Sequence, residues 1–187
     1  SILSICFSGS NIKSFESKKI HSSIYLDGQL NESSWNEVDA ITNFIELDNK
    51  NEPSKLTSVK MLYDDDFFYF GIVLFEDMNL ISFKSGAYDD FDNVFYESSD
   101  YFIIEIDSYH DHQSAFGFAV NASGIKADYS IYNDDFFNDN WNGSWSSELS
   151  YLEDRWIIEY KIPIKNLRFD NTKDLSMGIN FIRYIKN

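Results

Sequence analysis

The sequence predicts an all-β protein, an antiparallel β-sandwich of about nine or ten strands with short helical turns. Three observations carry this. Apolar and polar residues alternate with period two along most of the chain, whereas the 3.6-residue period of an amphipathic helix is almost absent. Aromatic residues make up 18% of the 187 residues, with Phe and Tyr, both strand formers, supplying most of them. Turn-forming clusters recur at hairpin spacing between the alternating runs.

Taken in order, SKLTSVKMLYD (54–64) alternates and directs Leu56, Val59 or Met61 to a core, with one slip of phase. The DDD at 64–66 turns the chain, and FFYFGIVLFE (67–76) returns, apolar on both faces as befits a central strand between two layers. SDYFIIEIDS (99–108) is the next strand, with Glu105 and Asp107 on its polar phase. After the break at YHDHQ, SAFGFAVN (114–121) pairs back, NASG turns, and IKADYSIY (125–132) returns. A long loop at 133–145, NDDFFNDNWNGSW, precedes SSELSYL (146–152), a tight turn at Glu153–Asp154, and RWIIEYKIPI (155–164). MGINFIRYI (177–185) is the last strand. NESSW near residue 33 and IKNLRF near 166 read as short helical turns, and Trp35 and Trp156 as core residues. No internal repeat is visible.

Composition narrows the function classes. Only 8 glycines and 2 prolines argue against a disordered or low-complexity chain. Fifteen basic against 31 acidic residues give a net charge of −16, a field that repels nucleic acid and anionic membranes and suits neutral ligands and divalent cations. The single cysteine, Cys6, forms no internal disulfide. Residues 1–20 read as a leader remnant or an N-terminal extension, because the apolar SILSICFSGS ends in small residues spaced like a signal-peptidase site. The same stretch also fits an edge strand, and Cys6 a lipid anchor, although Ile5 stands where a small residue is usual. Residues 21–187 form the one domain. No segment has the ~20 consecutive apolar residues of a membrane-spanning helix.

The 133–145 loop is too polar for a core strand and too aromatic for an ordinary solvated loop. Flat rings beside amides and carboxylates are the means by which proteins hold sugars. Trp141, Trp145, Phe136 and Tyr132 are therefore the stacking candidates, and Asn140 a hydroxyl partner. Trp145 opens the following strand and equally fits a packing role at the sandwich edge. Dense carboxylate and amide oxygens are also how loops hold calcium. Asp134, Asp135 and Asp139 with Asn140 form one candidate set, Asp27 with Glu32 a second, and Asp89, Asp90, Asp92 and Asp100 a third, each against the plainer reading of turn-forming aspartates. His110 and His112 resemble a metal pair but lack an evident third ligand, and a solvent-facing turn explains them better. No nucleophile elbow, phosphate loop or zinc-protease motif occurs, and Glu105 and Asp107 share one outer phase of a strand, so the chain reads as non-enzymatic.

LDGQLNESSW (26–35), MLYDDDFFYFGI (61–72), SDYFIIEIDSYHDHQSAFGFAVNASGIKADY (99–129), NDNWNGSW (138–145), RWIIEYKIPIKNLRF (155–169) and MGINFIRYI (177–185) occur in an order that resembles the family 9 carbohydrate-binding modules. They are most similar to the branch found N-terminal to bacterial outer-membrane β-barrels of uncharacterised function. The resemblance covers about residues 24–187. It implies a sugar-binding β-sandwich with a carbohydrate ligand, structural calcium, export to the periplasm, outer membrane or cell surface, and a β-barrel partner beyond Asn187. Two departures stand out: GAYDD (86–90) replaces a basic pair before aspartate, and Trp141-Asn142-Gly143 replaces Trp-Asp-Gly. The first weakens an inherited salt bridge, and the second removes a charged ligand. The other reading of the chain is a periplasmic or surface interaction domain that binds no free sugar.

Overall fold

The computed structural model describes residues 2–5, 14–46, 53–133, 136–167 and 176–186. The strands are β1 (Ile2–Ile5), β2 (Lys18–Lys19), β3 (Ile45–Glu46), β4 (Thr57–Tyr63), β5 (Phe67–Phe75) and β6 (Tyr101–Asp107) in the first half. They continue with β7 (Ala115–Asn121), β8 (Lys126–Tyr132), β9 (Phe136–Asn138), β10 (Ser146–Tyr151), β11 (Arg155–Pro163) and β12 (Gly178–Tyr184). A seven-stranded sheet in the order β3-β1-β12-β6-β7-β8-β9 faces a five-stranded sheet in the order β10-β11-β5-β4-β2. Every pairing is antiparallel except β2 with β4. The long strands lie where the alternating pattern places them. The additional β1, β2, β3 and β9 span only two to four residues, too short to show a period. Within the stretch expected to be a leader remnant or extension, β1 pairs with both β12 and β3. Cys6 lies outside the described residues.

The core follows from strand alternation. Phe102, Ile104 and Ile106 of β6 meet Phe68, Phe70, Ile72 and Leu74 of β5 and Trp156, Ile158, Tyr160 and Ile162 of β11. Each such side chain contributes roughly 1.5–3 kcal/mol when fully buried. In β4, Val59 and Met61 point inward, while Leu56, just before the strand, is exposed. Arg183 of β12 ties the sheets at one end. Its guanidinium donates from Nη1 to the Leu56 carbonyl at 2.9 Å and Thr57 Oγ1 at 3.1 Å, and from Nη2 to the Phe75 carbonyl at 2.8 Å and Glu76 Oε2 at 3.3 Å. Burial pushes its pKa down to about 10, so it remains charged at neutral pH and finds its counter-charge in Glu76.

Both outer faces are also covered, which explains why β5 is apolar on each side and why Tyr101 and Ile103 on the outer phase of β6 are buried. A single π-helical turn at Phe91–Phe95, closed by the Tyr96 N–H on the Phe91 carbonyl at 2.9 Å, packs Phe91, Val94 and Phe95 on Tyr101, Ala119, Ala127 and Tyr129. On the five-stranded sheet, residues 20–38 lie as a strap. Ile20, Ile24 and Trp35 bury against Leu62 and Tyr69, and the Lys60 ammonium holds the Trp35 carbonyl at 2.6 Å. Trp35 ends the strap inside the short helical turn Ser33–Glu37 and is 1% exposed.

The strap is fastened by a buried carboxylate. Glu159 of β11 accepts the backbone N–H groups of Asp27 and Gly28, both at 2.9 Å, on Oε2, while its Oε1 has no hydrogen-bond partner among the described residues. Gly28 has φ of +76°, and a Cβ there would lie 2.5 Å from the Leu149 carbonyl carbon, so only glycine lets the turn approach β10. Burial, opposed by those two N–H groups and helped by the nearby Glu32 and Asp27, pushes the Glu159 carboxyl up to about 7 from 4.5. Below 4.5 it is protonated in folded and unfolded chains alike. Between 4.5 and about 7 the unfolded chain ionises while the folded one keeps the proton, so its contribution to stability is lost as pH rises through that window. Thermal melts should show it: the stability of the wild-type chain relative to Glu159→Gln will be greater at pH 5 than at pH 8, and a difference independent of pH refutes the assignment.

Candidate functional site

The loop at 133–145 is shaped by a carboxylate on the neighbouring strand. Asp128 of β8 is 0% exposed, on the strand face that looks into the sandwich. Its Oδ2 accepts the Trp145 indole N–H at 2.7 Å and the Tyr88 hydroxyl, and its Oδ1 accepts the Gly143 N–H at 3.1 Å. Its own N–H donates to Asp89 Oδ1 at 2.8 Å. A buried charge survives only when its lone pairs are satisfied, and here three donors do so. The loop therefore cannot swing away without stripping donors from Asp128. Asp89, partly buried and close to the charges of Asp128 and Asp139, has its carboxyl pushed up by desolvation first and by that repulsion second.

Trp145 is thereby fixed in the core, and its place among the stacking candidates is corrected. It is 6% exposed and stacks on Tyr160 with centroids 5.7 Å apart at 10°, and the Lys126 ammonium lies 4.5 Å over its ring. Lys126 also donates to the Trp145 carbonyl at 2.9 Å, and desolvation lowers its pKa. An indole with its N–H and both neighbours engaged this way offers no face to a ligand.

Trp141 is held differently. Its ring is half-buried, 4.8 Å from Phe116 and 5.8 Å from Phe118, edge-on to the latter. Gly143 permits this, because a Cβ there would stand 2.7 Å from Trp141 Cη2. The rest of the indole borders a groove of about 440 Å³, within the size range of small-molecule sites. Tyr109, Phe116 and Tyr132 supply the other rings of its lining, and Ser114, Ser130, Asn166 and Lys165 the polar groups. Tyr132 stacks on Phe136 across β8 and β9 at 5.4 Å and 2°, and both are about half-exposed, which extends the aromatic surface beyond the groove. Asn166 sits in the helical turn Ile164–Asn166 and ties it to the loop through Nδ2 on the Ser144 carbonyl at 2.8 Å.

Trp141, Tyr132 and Phe136 are thus brought together, while Asn140 is not. It is exposed and turned to its own loop, with its N–H on Asn138 Oδ1 at 3.2 Å and its Nδ2 on Asp139 Oδ1 at 3.0 Å. Phe116, Tyr109, Lys165 and Asn166 escaped the sequence reading. The available signal was the phase of SAFGFAV, which sets Phe116 on the same face as Phe118.

Apart from the exposed Asp92, the acidic residues foreseen as calcium ligands have hydrogen-bonding roles where they are described. Asp27 Oδ1 caps its own turn by accepting the Gln29 N–H at 2.8 Å. Glu32 accepts the Tyr25 N–H at 3.0 Å and the Trp35 indole N–H at 3.2 Å. Asp90 caps the π-helical turn through Asn93, and Asp100 accepts the Lys186 N–H at 2.8 Å. Asp134 and Asp135 lie outside the described residues. Among the described residues, no three His, Cys, Asp or Glu side chains converge in a ligand set. His110 and His112 lie in a turn with positive φ, their rings 5.0 Å apart and Asp107 accepting the His112 N–H at 2.8 Å. Glu105 accepts the Tyr129 hydroxyl at 2.7 Å and the Asn180 amide at 3.2 Å. It and Asp107 are thus engaged separately on the outer face. Replacing Asp128 by Asn puts an amide N–H against donors and should cost about 2 kcal/mol in denaturant unfolding. It should also red-shift the tryptophan emission. An unchanged spectrum and midpoint would remove Asp128 from this role.

No family model and no curated protein sequence matches the chain. Solved structures do. A family 9 carbohydrate-binding module from Caldicellulosiruptor kristjanssonii in complex with cellotriose superposes with a TM-score of 0.59 at 14% identity, over 89% of this chain and 82% of its own. One from the same organism in complex with glucose gives 0.54 at 15% identity, over 89% and 83%. A Bacteroides uniformis protein named as a candidate carbohydrate-binding protein gives 0.67 at 13% identity, over 93% and 84%. At such identities the likeness is one of architecture, and the chain has the β-sandwich fold of the family 9 carbohydrate-binding modules.

Proposed function

We propose that this domain is a non-catalytic carbohydrate-binding module of an exported bacterial protein. The observation that carries the reading is the groove in which Trp141, Phe116 and Tyr132 present rings beside Ser130 and Asn166. A pyranose ring offers a flat C–H face to such rings and hydroxyls to such polar groups. Stacking on one indole is worth ~1–2 kcal/mol. The fold likeness supports the same ligand class, since two of the similar structures hold glucose and cellotriose. Calcium belongs to the proposal as an organiser of the acidic segment around Asp134, Asp135 and Asp139, which is dense in carboxylate and amide oxygens. The domain would serve the periplasm, outer membrane or cell surface, joined to an outer-membrane β-barrel.

A second reading, an interaction domain that binds no free sugar, draws on one observation. Phe83 and Tyr151 form an exposed edge-to-face pair at 5.8 Å, in segments where Leu80 and Leu152 are also half-exposed or more. A glycan array probed with and without a calcium chelator separates the two. The proposed module will bind at least one glycan, and Trp141→Ala will weaken that binding about five- to thirty-fold. Binding untouched by both chelation and Trp141→Ala removes this site. Binding to no glycan selects the interaction reading.

A further inference from the structure

The groove that Trp141 borders runs against the charge of the whole chain. Acidic residues outnumber basic ones by 31 to 15, yet the lining contains no carboxylate, and its one charged side chain is the Lys165 ammonium. We infer that the groove takes a sugar bearing a carboxylate, a uronic acid, with Lys165 pairing with that carboxylate. This rests on the carbohydrate-binding reading and specifies its ligand class.

Lys165 shares with the exposed Lys84 the lack of a side-chain partner among the described residues, where other lysines are engaged. Lys18, Lys19 and Lys55 pair with Glu37, Asp65 and Glu76, and Lys60 and Lys126 donate to backbone carbonyls. Lys165 makes no ion pair or hydrogen bond among the described residues, although the chain has acids to spare. Its backbone is nevertheless fixed. The Ile164 N–H donates to the Asp66 carbonyl at 2.8 Å, the Leu167 N–H to the Ile164 carbonyl at 3.0 Å, and Asn166 Nδ2 to the Ser144 carbonyl at 2.8 Å. An uncommitted cation is thus anchored beside the aromatic surface, on the turn that the Trp141 loop itself holds.

Ligand geometry matches this placement. A sugar laid face-down on Trp141 and Phe116 directs an equatorial C5 carboxylate outward from its rim, where a lysine at the groove lip can meet it. Asn166, with Nδ2 spent on Ser144, keeps Oδ1 for a hydroxyl. The chain's net charge of −16 does not cancel the attraction, because charges beyond about 8 Å are screened at physiological ionic strength while a contact pair is not.

Calorimetric titration of the full chain with pectic, alginate and glucuronoxylan oligosaccharides, each beside its carboxyl-reduced counterpart, tests the inference. At least one acidic member should bind about five-fold more tightly than its reduced form at physiological ionic strength. The advantage should shrink when salt is raised to about 1 M, where the Debye length falls to about 3 Å. Lys165→Gln should abolish it, and Lys165→Arg should retain it. Equal or tighter binding of every reduced form overturns the inference and leaves sugar binding intact. So does a preference that survives Lys165→Gln. Binding to neither member of any pair also overturns the inference, and the glycan array then decides the carbohydrate reading.

Discussion

The site depends on one buried carboxylate. Asp128 sits on a strand whose inward phase would ordinarily carry an apolar residue, directly across from Phe118. Burying that charge is tolerable only because the Trp145 indole, the Gly143 N–H and the Tyr88 hydroxyl converge on it. The same convergence folds the loop back over β7 and β8, so that Trp145 enters the core and Trp141, four residues earlier, stops halfway. The two tryptophans are chemically alike and receive opposite roles. What separates them is the hydrogen-bond partner that one of them finds.

Similar logic holds the outer layers. The motif LDGQLNESSW, at first sight a source of metal-binding acids, is a strap over the five-stranded sheet in which both acids have an internal task. Asp27 closes the turn, Gly28 admits the close approach to β10, Glu32 receives the Tyr25 N–H and the Trp35 indole, and Glu159 receives the turn's backbone. At the other end of the sandwich Arg183 joins β12 to the β4–β5 layer by the same means, a buried charge surrounded by carbonyls and one acid. In both places a polar side chain fixes where one layer sits on another, a specificity that apolar packing alone supplies weakly.

Much of this was legible in advance, and the reason is local. Strand alternation has a period of two residues, so seven to nine residues of SKLTSVKMLYD or RWIIEYKIPI suffice to assign a strand and its inward phase, whereas FFYFGIVLFE, apolar on both faces, reads as a central strand without one. Trp156 reads as core on the same ground and lies there at 0% exposure, while Trp35, read as core in a short helical turn where no alternation applies, lies there at 1%. The strands that escaped notice, β2, β3 and β9, have only two or three residues and exist because a longer neighbour offers them an edge. The π-helical turn at Phe91–Phe95 likewise follows from the apolar outer face of β6–β8, which lies well away from it in sequence.

The sequence by itself determined the all-β class, the order and phase of the long strands, the aromatic character of the 133–145 loop and the acidity of the chain, because each is a property of neighbouring residues or of composition. Tertiary structure alone decided which aromatics meet. Phe116, Trp141 and Tyr132 come from three segments, and Lys165 arrives from a fourth, so their common groove arises from sheet order and from the grip of Asp128. It also decided that Trp145 packs inward and that Asp27 and Glu32 serve the backbone. A hydrogen bond chooses its partner by distance in space, and a one-dimensional pattern carries no record of that distance until the layers have closed.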